Sequence, residues 1–345
     1  MGGQQQPLVT IIIPAYQAAE RIRETLDSVF EQTYPNFEVV LVNDGSPDTE
    51  ALEQAIRRYG ESVIYIRQEN RGPSGARNTA IRAARGKYIA CLDSDDVFLP
   101  DHLSRLVALL ERDALDLAYS DSHLTRGGVR VGLYFERQPQ HPPVTFEKLL
   151  TEECAVPTSG VVVSRQAMID AGLFDERYRC CEDFDLWLRM SFRGAKMGLL
   201  PQPGIEHRLL PDGLASDDYL LKQALIEVYR KTLSTLPVSA EQSRLIEQLI
   251  ARTEGLCELD MAKRYVREGR YPEARVAAGK AAFLLPDRKS RRVALAVRIA
   301  PWAVGRFLRF REARGKQKRK GSTRNASDKD GSVPIQSREL RTKES

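Results

Sequence analysis

The chain has 345 residues, 42% of them hydrophobic, and a formal net charge of +5. That length suits one large domain with an appendage or two of medium size, and with no run of about 18 apolar residues a spanning helix is not expected. The charge is uneven: residues 286–320 hold thirteen Lys/Arg against two Asp/Glu, a net of +11, so the remainder carries −6 and only the C-terminal part is basic.

In chain order, "MGGQQQPLVTIII" lacks a basic stretch before its apolar run and is not read as a signal peptide. Residues 1–7 are expected to be a flexible N-terminus. "LVTIIIP" is a continuous β-branched run of the kind buried on both faces of a sheet. A helix follows on the spacing of Ile22, Leu26, Val29 and Phe30. "FEVVLVN", "SVIYIRQ" and "KYIACL" predict three more strands, separated by the helices "DTEALEQAIRRYG" and "GPSGARNTAIRAARG". Strands alternating with helices of this length imply βαβ units and a mostly parallel sheet, which binds ligands at the C-terminal ends of its strands. Residues 126–210 are less regular and rich in Gly and Pro. From 216 to 290 the pattern is helical, and "ELDMAKRYVREGRYPEARVAAGKAAFLLP" resembles a single tetratricopeptide-type helix pair. Residues 321–345 are polar and expected to be disordered. The five cysteines (91, 154, 180, 181, 257) show no CxxC spacing, which favours reduced cytosolic thiols over disulfides or a zinc site.

Polar residues stand at every strand end: "IPAYQ", "VNDGSPD", "QENRGPSGARN" and "LDSDD". Each alone reads as turn or cap chemistry. Together they can converge on one edge of the sheet. Asp93 and Asp95, at i and i+2 of an extended backbone, would project to one side and suit a hard Mg²⁺ or Mn²⁺ ion shared with phosphate oxygens. Asp96 offers a cap for a helix starting near Pro100. Asp44 can accept a hydrogen bond from a nucleobase imide, and Arg77 stands where a loop-to-helix junction can meet an anion.

The ordered set "VTIIIPAYQAAERIRETLDSVFEQTYPNFEVVLVNDGSPD", "QENRGPSGARNTAIRAARGKYIACLDSDD" and "CCEDFDLWLRM" resembles the family 2 glycosyltransferases of the GT-A fold, over about residues 8–215. The resemblance implies a Rossmann-like α/β domain there, with a C-terminal helical appendage. It also implies sugar transfer from a nucleotide diphosphate donor, commonly UDP-linked, with inversion and a divalent cation, Mn²⁺ or Mg²⁺. Carried over by position, Pro14, Ala15 and Tyr16 line the base pocket, Asp44 bonds the base, and Arg77 sits near the nucleotide. Asp93 reaches the ribose or the metal's water shell, and Asp95 is the metal ligand. Asp183 is the general base with Glu182 in support, while Asp185 is a rival and first-turn helix acids are the alternative. Thr158, Ser159 and Gly160 face the acceptor, a glycan or a lipid-linked sugar in polysaccharide synthesis. One departure concerns "EHRLLPDG": Leu210 stands where the family often has a histidine, and His207, three positions earlier, is either its substitute at the metal or an ordinary surface residue. A non-catalytic nucleotide-sugar-binding or scaffold protein on the same fold is the alternative function.

The segment 291–320 mixes arginines with Val, Ile, Trp and Phe. A helical wheel places Val293, Val297, Val304, Phe307 and Leu308 on one face and Arg291, Arg298, Arg306 and Arg309 opposite, with Leu295, Ile299 and Trp302 on the basic side and Pro301 at a kink. That pattern suits an anionic membrane surface, which would make a cytoplasmic protein peripheral to the inner face of a membrane; a helix packed on the catalytic domain is the alternative. No nucleic-acid-reading module is recognised, so nucleic acid is not an expected partner.

Overall fold

The computed structural model describes residues 6–210 and 217–307. The expected disordered tail, the segment 308–320, and residues 1–5 lie outside them. The first half alternates as its hydrophobic pattern requires: β1 (Val9–Ala15), α1 (Ile22–Phe30), β2 (Phe37–Asp44), α2 (Thr49–Ile56), β3 (Val63–Gln68), α3 (Gly72–Ala83) and β4 (Tyr88–Cys91). There follow β5 (Val97–Phe98), α4 (His102–Asp113), β6 (Leu117–Arg126), β7 (Val129–Leu133), α5 (Tyr134–Arg137), α6 (Phe146–Leu150), β8 (Val161–Ser164), α7 (Arg165–Asp170), α8 (Glu182–Phe192) and β9 (Met197–Arg208). Then come α9 (Asp218–Thr235), α10 (Ala240–Arg267), α11 (Tyr271–Leu284) and α12 (Arg288–Ile299).

The sheet runs β3-β2-β1-β4-β8-β6-β9-β5, with β7 paired to β6. It is parallel from β3 to β4, where the βαβ units lie, and mixed beyond: β8 is antiparallel to both β4 and β6, and β9 is parallel to β6 but antiparallel to β5. Chain order reverses around β1, which has β2 on one side and β4 on the other. Such a switch point opens a crevice at the strand ends.

Alternation along β1 sends Ile12 to one apolar cluster, with Val40, Ile89 and Trp187, and Ile11 and Ile13 to another, with Leu26, Leu41 and Leu103. Both faces are thus covered, which is why the strand reads as an unbroken apolar run.

The chain divides into two compact units, Met1–Glu254 and Gly255–Ser345. In the first, Val228, Tyr229 and Ile246 of α9 and α10 join the cluster around Trp187, so this unit extends past the boundary expected near 215. In the second, α11 lies against α12 through alanines: Ala274, Ala277 and Ala278 with Val297, and Ala281 with Ala294. Small side chains let these short helices approach closely.

This packing corrects the wheel drawn from the sequence. Val297 is fully buried and Val304 packs against the same cluster, so these two are spent inside the helical unit, while Val293 and Phe307 of the same wheel face stay exposed. The exposed apolar side chains include Leu295, Ile299 and Trp302 of the basic side. Helical conformation breaks at Ala300 (φ −134°), and residues 301–307 form a further helical stretch opened by the buried Pro301. None of the five cysteines is joined in a disulfide among the described residues.

Candidate active site

The ends of β1 and β2 are tied together first. The Gln17 backbone N–H donates to Ser46 Oγ at 2.7 Å and that of Ala19 to Asp48 Oδ2 at 2.9 Å. Gly45 between them has φ +64°, and a Cβ there would lie 2.7 Å from the Asn70 nitrogen, so the "NDGS" turn requires glycine. Asp44 is buried, and its Oδ1 accepts from Gln68 Nε2 at 2.7 Å and from the Arg71 N–H at 2.9 Å. Its Oδ2 has no protein partner among the described residues. Ala15 is buried below it and Tyr16 is half exposed.

At the end of β4 the three aspartates separate. The Asp96 N–H donates to the Asp93 carbonyl at 3.1 Å. Asp93 and Asp95 therefore sit in a tight turn and not on an extended strand, a correction to the projection argument. Asp96 does not cap a helix either; the residue before α4 is Asp101, with no side-chain cap bond. Instead the fully buried Asp96 carboxylate accepts from His207 Nδ1 and from the Arg208 N–H, both at 2.9 Å. This pair fastens the end of β9 to the turn. Burial pulls the His207 imidazole down, but the hydrogen bond and charge of Asp96, with Asp93 and Asp95 beyond, raise it to about 9. It is a held imidazolium and not the free surface histidine of one sequence reading; only Nε2 remains for other contacts.

Burial, then Asp96 and Asp93, push the Asp95 carboxyl up to about 6. Among the described residues no three His, Cys, Asp or Glu side chains form a metal-binding group. The chain therefore offers a partial shell, as hard cations bound with substrate phosphates accept. An oxygen donor short of positive charge fits such an ion.

Arg77 projects from the second turn of α3 into the crevice and is buried. Its Nη2 donates to Asp93 Oδ1 and its Nη1 to Glu182 Oε1, each at 2.7 Å, with the guanidinium 5.5 Å from the Phe174 ring centre. The anions it meets are thus two of the protein's own acids. Burial raises the Glu182 carboxyl, and Arg77 opposes that rise. Glu182 and Asp183 open α8, where the helix dipole favours acids. Asp183 Oδ2 accepts from Thr158 Oγ1 at 2.6 Å and its Oδ1 from the Phe184 N–H at 2.7 Å. Ser159 Oγ lies 3.4 Å from the Asp93 nitrogen, and the Gly160 N–H bonds the Cys91 carbonyl at 3.1 Å. Residues 158–160 are therefore stitched to the Asp183 carboxylate and to the turn that holds Asp93. Asp185, by contrast, is buried and paired with Arg189 and Lys231. Its carboxylate is bound up in structural ion pairs.

Sequence reasoning missed Tyr134. Burial and then the Asp183 charge raise its phenol, which places it near Asp183. Its helix has four residues, too few for a periodic signal, and the proximity is purely tertiary.

Residues 10–159 match the model of glycosyl transferase family 2. The chain is 30% identical over 191 residues to the Escherichia coli UDP-Glc:alpha-D-GlcNAc-diphosphoundecaprenol beta-1,3-glucosyltransferase WfaP, across 55% of this chain and 72% of the relative. This chain belongs to glycosyltransferase family 2. The amylovoran biosynthesis glycosyltransferase AmsB of Erwinia amylovora is 32% identical over 207 residues, 56% of this chain and 67% of that protein. An uncharacterized glycosyltransferase of Rickettsia prowazekii is 32% identical over 194 residues, and the family 2 chain spans 58% of its length with 53% of its own. Among solved structures, TarS 1-349 of S. aureus in complex with UDP-GlcNAc superposes with a TM-score of 0.61 at 21% identity, over 86% of this chain and 90% of that one. The mannosyltransferase PcManGT of Pyrobaculum calidifontis in complex with GDP-Man and Mn²⁺ gives 0.57 at 20% identity, over 88% and 84%. These structures share the GT-A fold.

Proposed function

We propose that this glycosyltransferase moves a sugar from a UDP-linked donor to a hydroxyl of a glycan or lipid-linked acceptor, with inversion, in surface polysaccharide synthesis. The observation that carries the reading is the chain of contacts Asp93–Arg77–Glu182, continued by the adjacent Asp183 and its bond to Thr158. It joins the phosphate end of the crevice to the base end. The names of the relatives, a UDP-glucose enzyme with a diphosphoundecaprenol acceptor among them, support the donor and acceptor classes.

In this reading Asp44 Oδ2 accepts the imide N–H of uracil while Oδ1 holds the loop after β3. Pro14, Ala15 and Tyr16 form the wall of the base pocket. Asp95, with Asp93 beside it, would hold Mn²⁺ or Mg²⁺, and His207, kept protonated by Asp96, would not serve as a ligand. Such an ion, when bound, offsets negative charge on the departing diphosphate. Asp183 takes the proton of the acceptor hydroxyl as that oxygen forms its bond to the anomeric carbon. The bond from that carbon to the diphosphate oxygen breaks in line, and the oxygen keeps the electron pair. Thr158 fixes which carboxylate oxygen of Asp183 faces the acceptor, and Arg77 holds Glu182 and Asp93 in place.

The test is release of nucleoside diphosphate from a panel of sugar nucleotides with Mn²⁺, run beside Asp183→Asn. Turnover with one UDP-sugar, lowered about 10²–10⁴-fold by the substitution with donor affinity kept, is expected. Donor binding without turnover on any sugar would favour a binding protein, and a fully active Asn variant would remove the base assignment.

A further inference from the structure

The second compact unit exposes apolar side chains that its own core does not use. Ile299 is 72% exposed, Trp302 61%, Phe307 58% and Phe283 84%. Isolated exposed apolar residues are ordinary, but these are spread over α11, α12 and the helical stretch that follows it. Arg292, Leu295 and Ile299 recur at i, i+3 and i+7 along α12 and all are exposed, so they form one stripe. On α11, Val276 and Phe283 are two turns apart with Gly279 between them. Arg298 crosses from α12 onto that glycine, its Cδ and Nε 3.8 Å from a Cβ placed there. A ridge of guanidinium thus separates two exposed apolar strips.

Charge decides what covers this face. Among the described residues, Arg292, Arg298 and Arg306 have no carboxylate partner, and the sequence beyond residue 307 continues with seven Lys/Arg against one Glu up to Lys320. A soluble partner helix of ordinary composition would satisfy the apolar strips but leave these cations unpaired. A bilayer with anionic headgroups satisfies both, because arginines reach phosphates while aliphatic and indole groups enter the acyl boundary.

We infer that the exposed face of α11, α12 and residues 301–307 docks on an anionic lipid bilayer, with Ile299 and Trp302 as the inserted side chains and Arg292, Arg298 and Arg306 as the headgroup contacts. Of the residues on the apolar face of the helical wheel, Val297 and Val304 are turned inward and only Phe307 belongs to this surface. The docking needs no sugar turnover and stands apart from the transfer reaction.

The chain has two tryptophans, and Trp187 is buried at 1% exposure, so the full-length protein carries its own probe. Vesicles of phosphatidylcholine with phosphatidylglycerol should shift the Trp302 emission to the blue and co-sediment with the protein. Pure phosphatidylcholine should do neither, and high salt should reverse the binding. Substituting Arg292, Arg298 and Arg306 together by Gln should lower partitioning about a hundredfold. Ile299→Ser with Trp302→Ser should lower it about tenfold or more, with far-ultraviolet circular dichroism unchanged because these side chains are exposed. Trp302→Phe should abolish the emission shift and keep sedimentation. Failure of the wild-type protein to bind anionic vesicles overturns the inference. So does equal binding by the Ile299/Trp302 variant, or a blue shift that follows protein concentration without lipid, which would assign the face to a second copy of the chain.

Discussion

At the scale of single residues, the site gathers more acid than it neutralises. Asp93, Asp95 and Asp96 occupy one turn, with Glu182 and Asp183 across from it. Against them stand Arg77, shared between Asp93 and Glu182, and His207 on Asp96. Asp95 is left without a cation, and its carboxyl rises from an ordinary 3.8 to about 6. The sign follows from that rise. Between these two values the unfolded chain ionises first, so stability falls as pH rises and then stays level above about 6. A rise of about two units corresponds to about 3 kcal/mol at most. Asp95→Asn is therefore expected to melt above the wild type near neutral pH, to match it near pH 4, and to lose transfer activity. Mn²⁺ with UDP should raise the melting temperature of the wild type alone. Melting curves at the two pH values, with and without Mn²⁺ and UDP, check all of this; equal melting of the two proteins near neutral pH would show that Asp95 carries no such penalty.

At the scale of elements, β1 to β4 and their helices are legible because buried parallel strands read as continuous apolar runs and the helices between them carry helical apolar spacing. β5, with two residues, carries too little pattern to predict, and the four-residue β8 stands in an irregular Gly- and Pro-rich stretch without the βαβ rhythm that marks β4. β9 is interrupted by Pro201 and Pro203 and shifts register against β6 around Asp121. Its function at the site is carried by the pairing of residues 96 and 207, which no local rule reveals. That pairing also sets a pH response. The His207 imidazole lies at about 9 against an ordinary 6.5. Its contribution to stability is complete below about 6.5 and is lost as pH rises through about 9. His207→Gln should therefore flatten the decline in melting temperature between these values and loosen β9 from the turn. Melting temperature against pH for the two proteins measures it, and parallel curves would show that the imidazolium contributes nothing there.

At the scale of the molecule, what the sequence resembles and what it packs do not end at the same residue. The family motifs stop near 215, yet α9 and the start of α10 supply Val228, Tyr229 and Ile246 to the cluster around Trp187. Lys231 of α9 also pairs with Asp175 and Asp185, and Tyr229 donates to the Leu150 carbonyl at 2.8 Å. Through Asp185, α9 helps hold the helix that presents Asp183. A chain cut at 215 would expose this apolar surface and leave the buried Asp185 with Arg189 as its remaining ion-pair partner. The second unit has its own clusters around Ala278 and Ala281. A chain ending after Glu254 is therefore expected to melt in one cooperative transition and to gain stability from UDP, while losing attachment to anionic vesicles. A chain ending at 215 is expected to be unstable or to aggregate. Thermal melting of the two truncations with and without UDP distinguishes these outcomes, and a stable, UDP-binding 1–215 fragment would reduce α9 from a support of the base helix to an ornament of the fold.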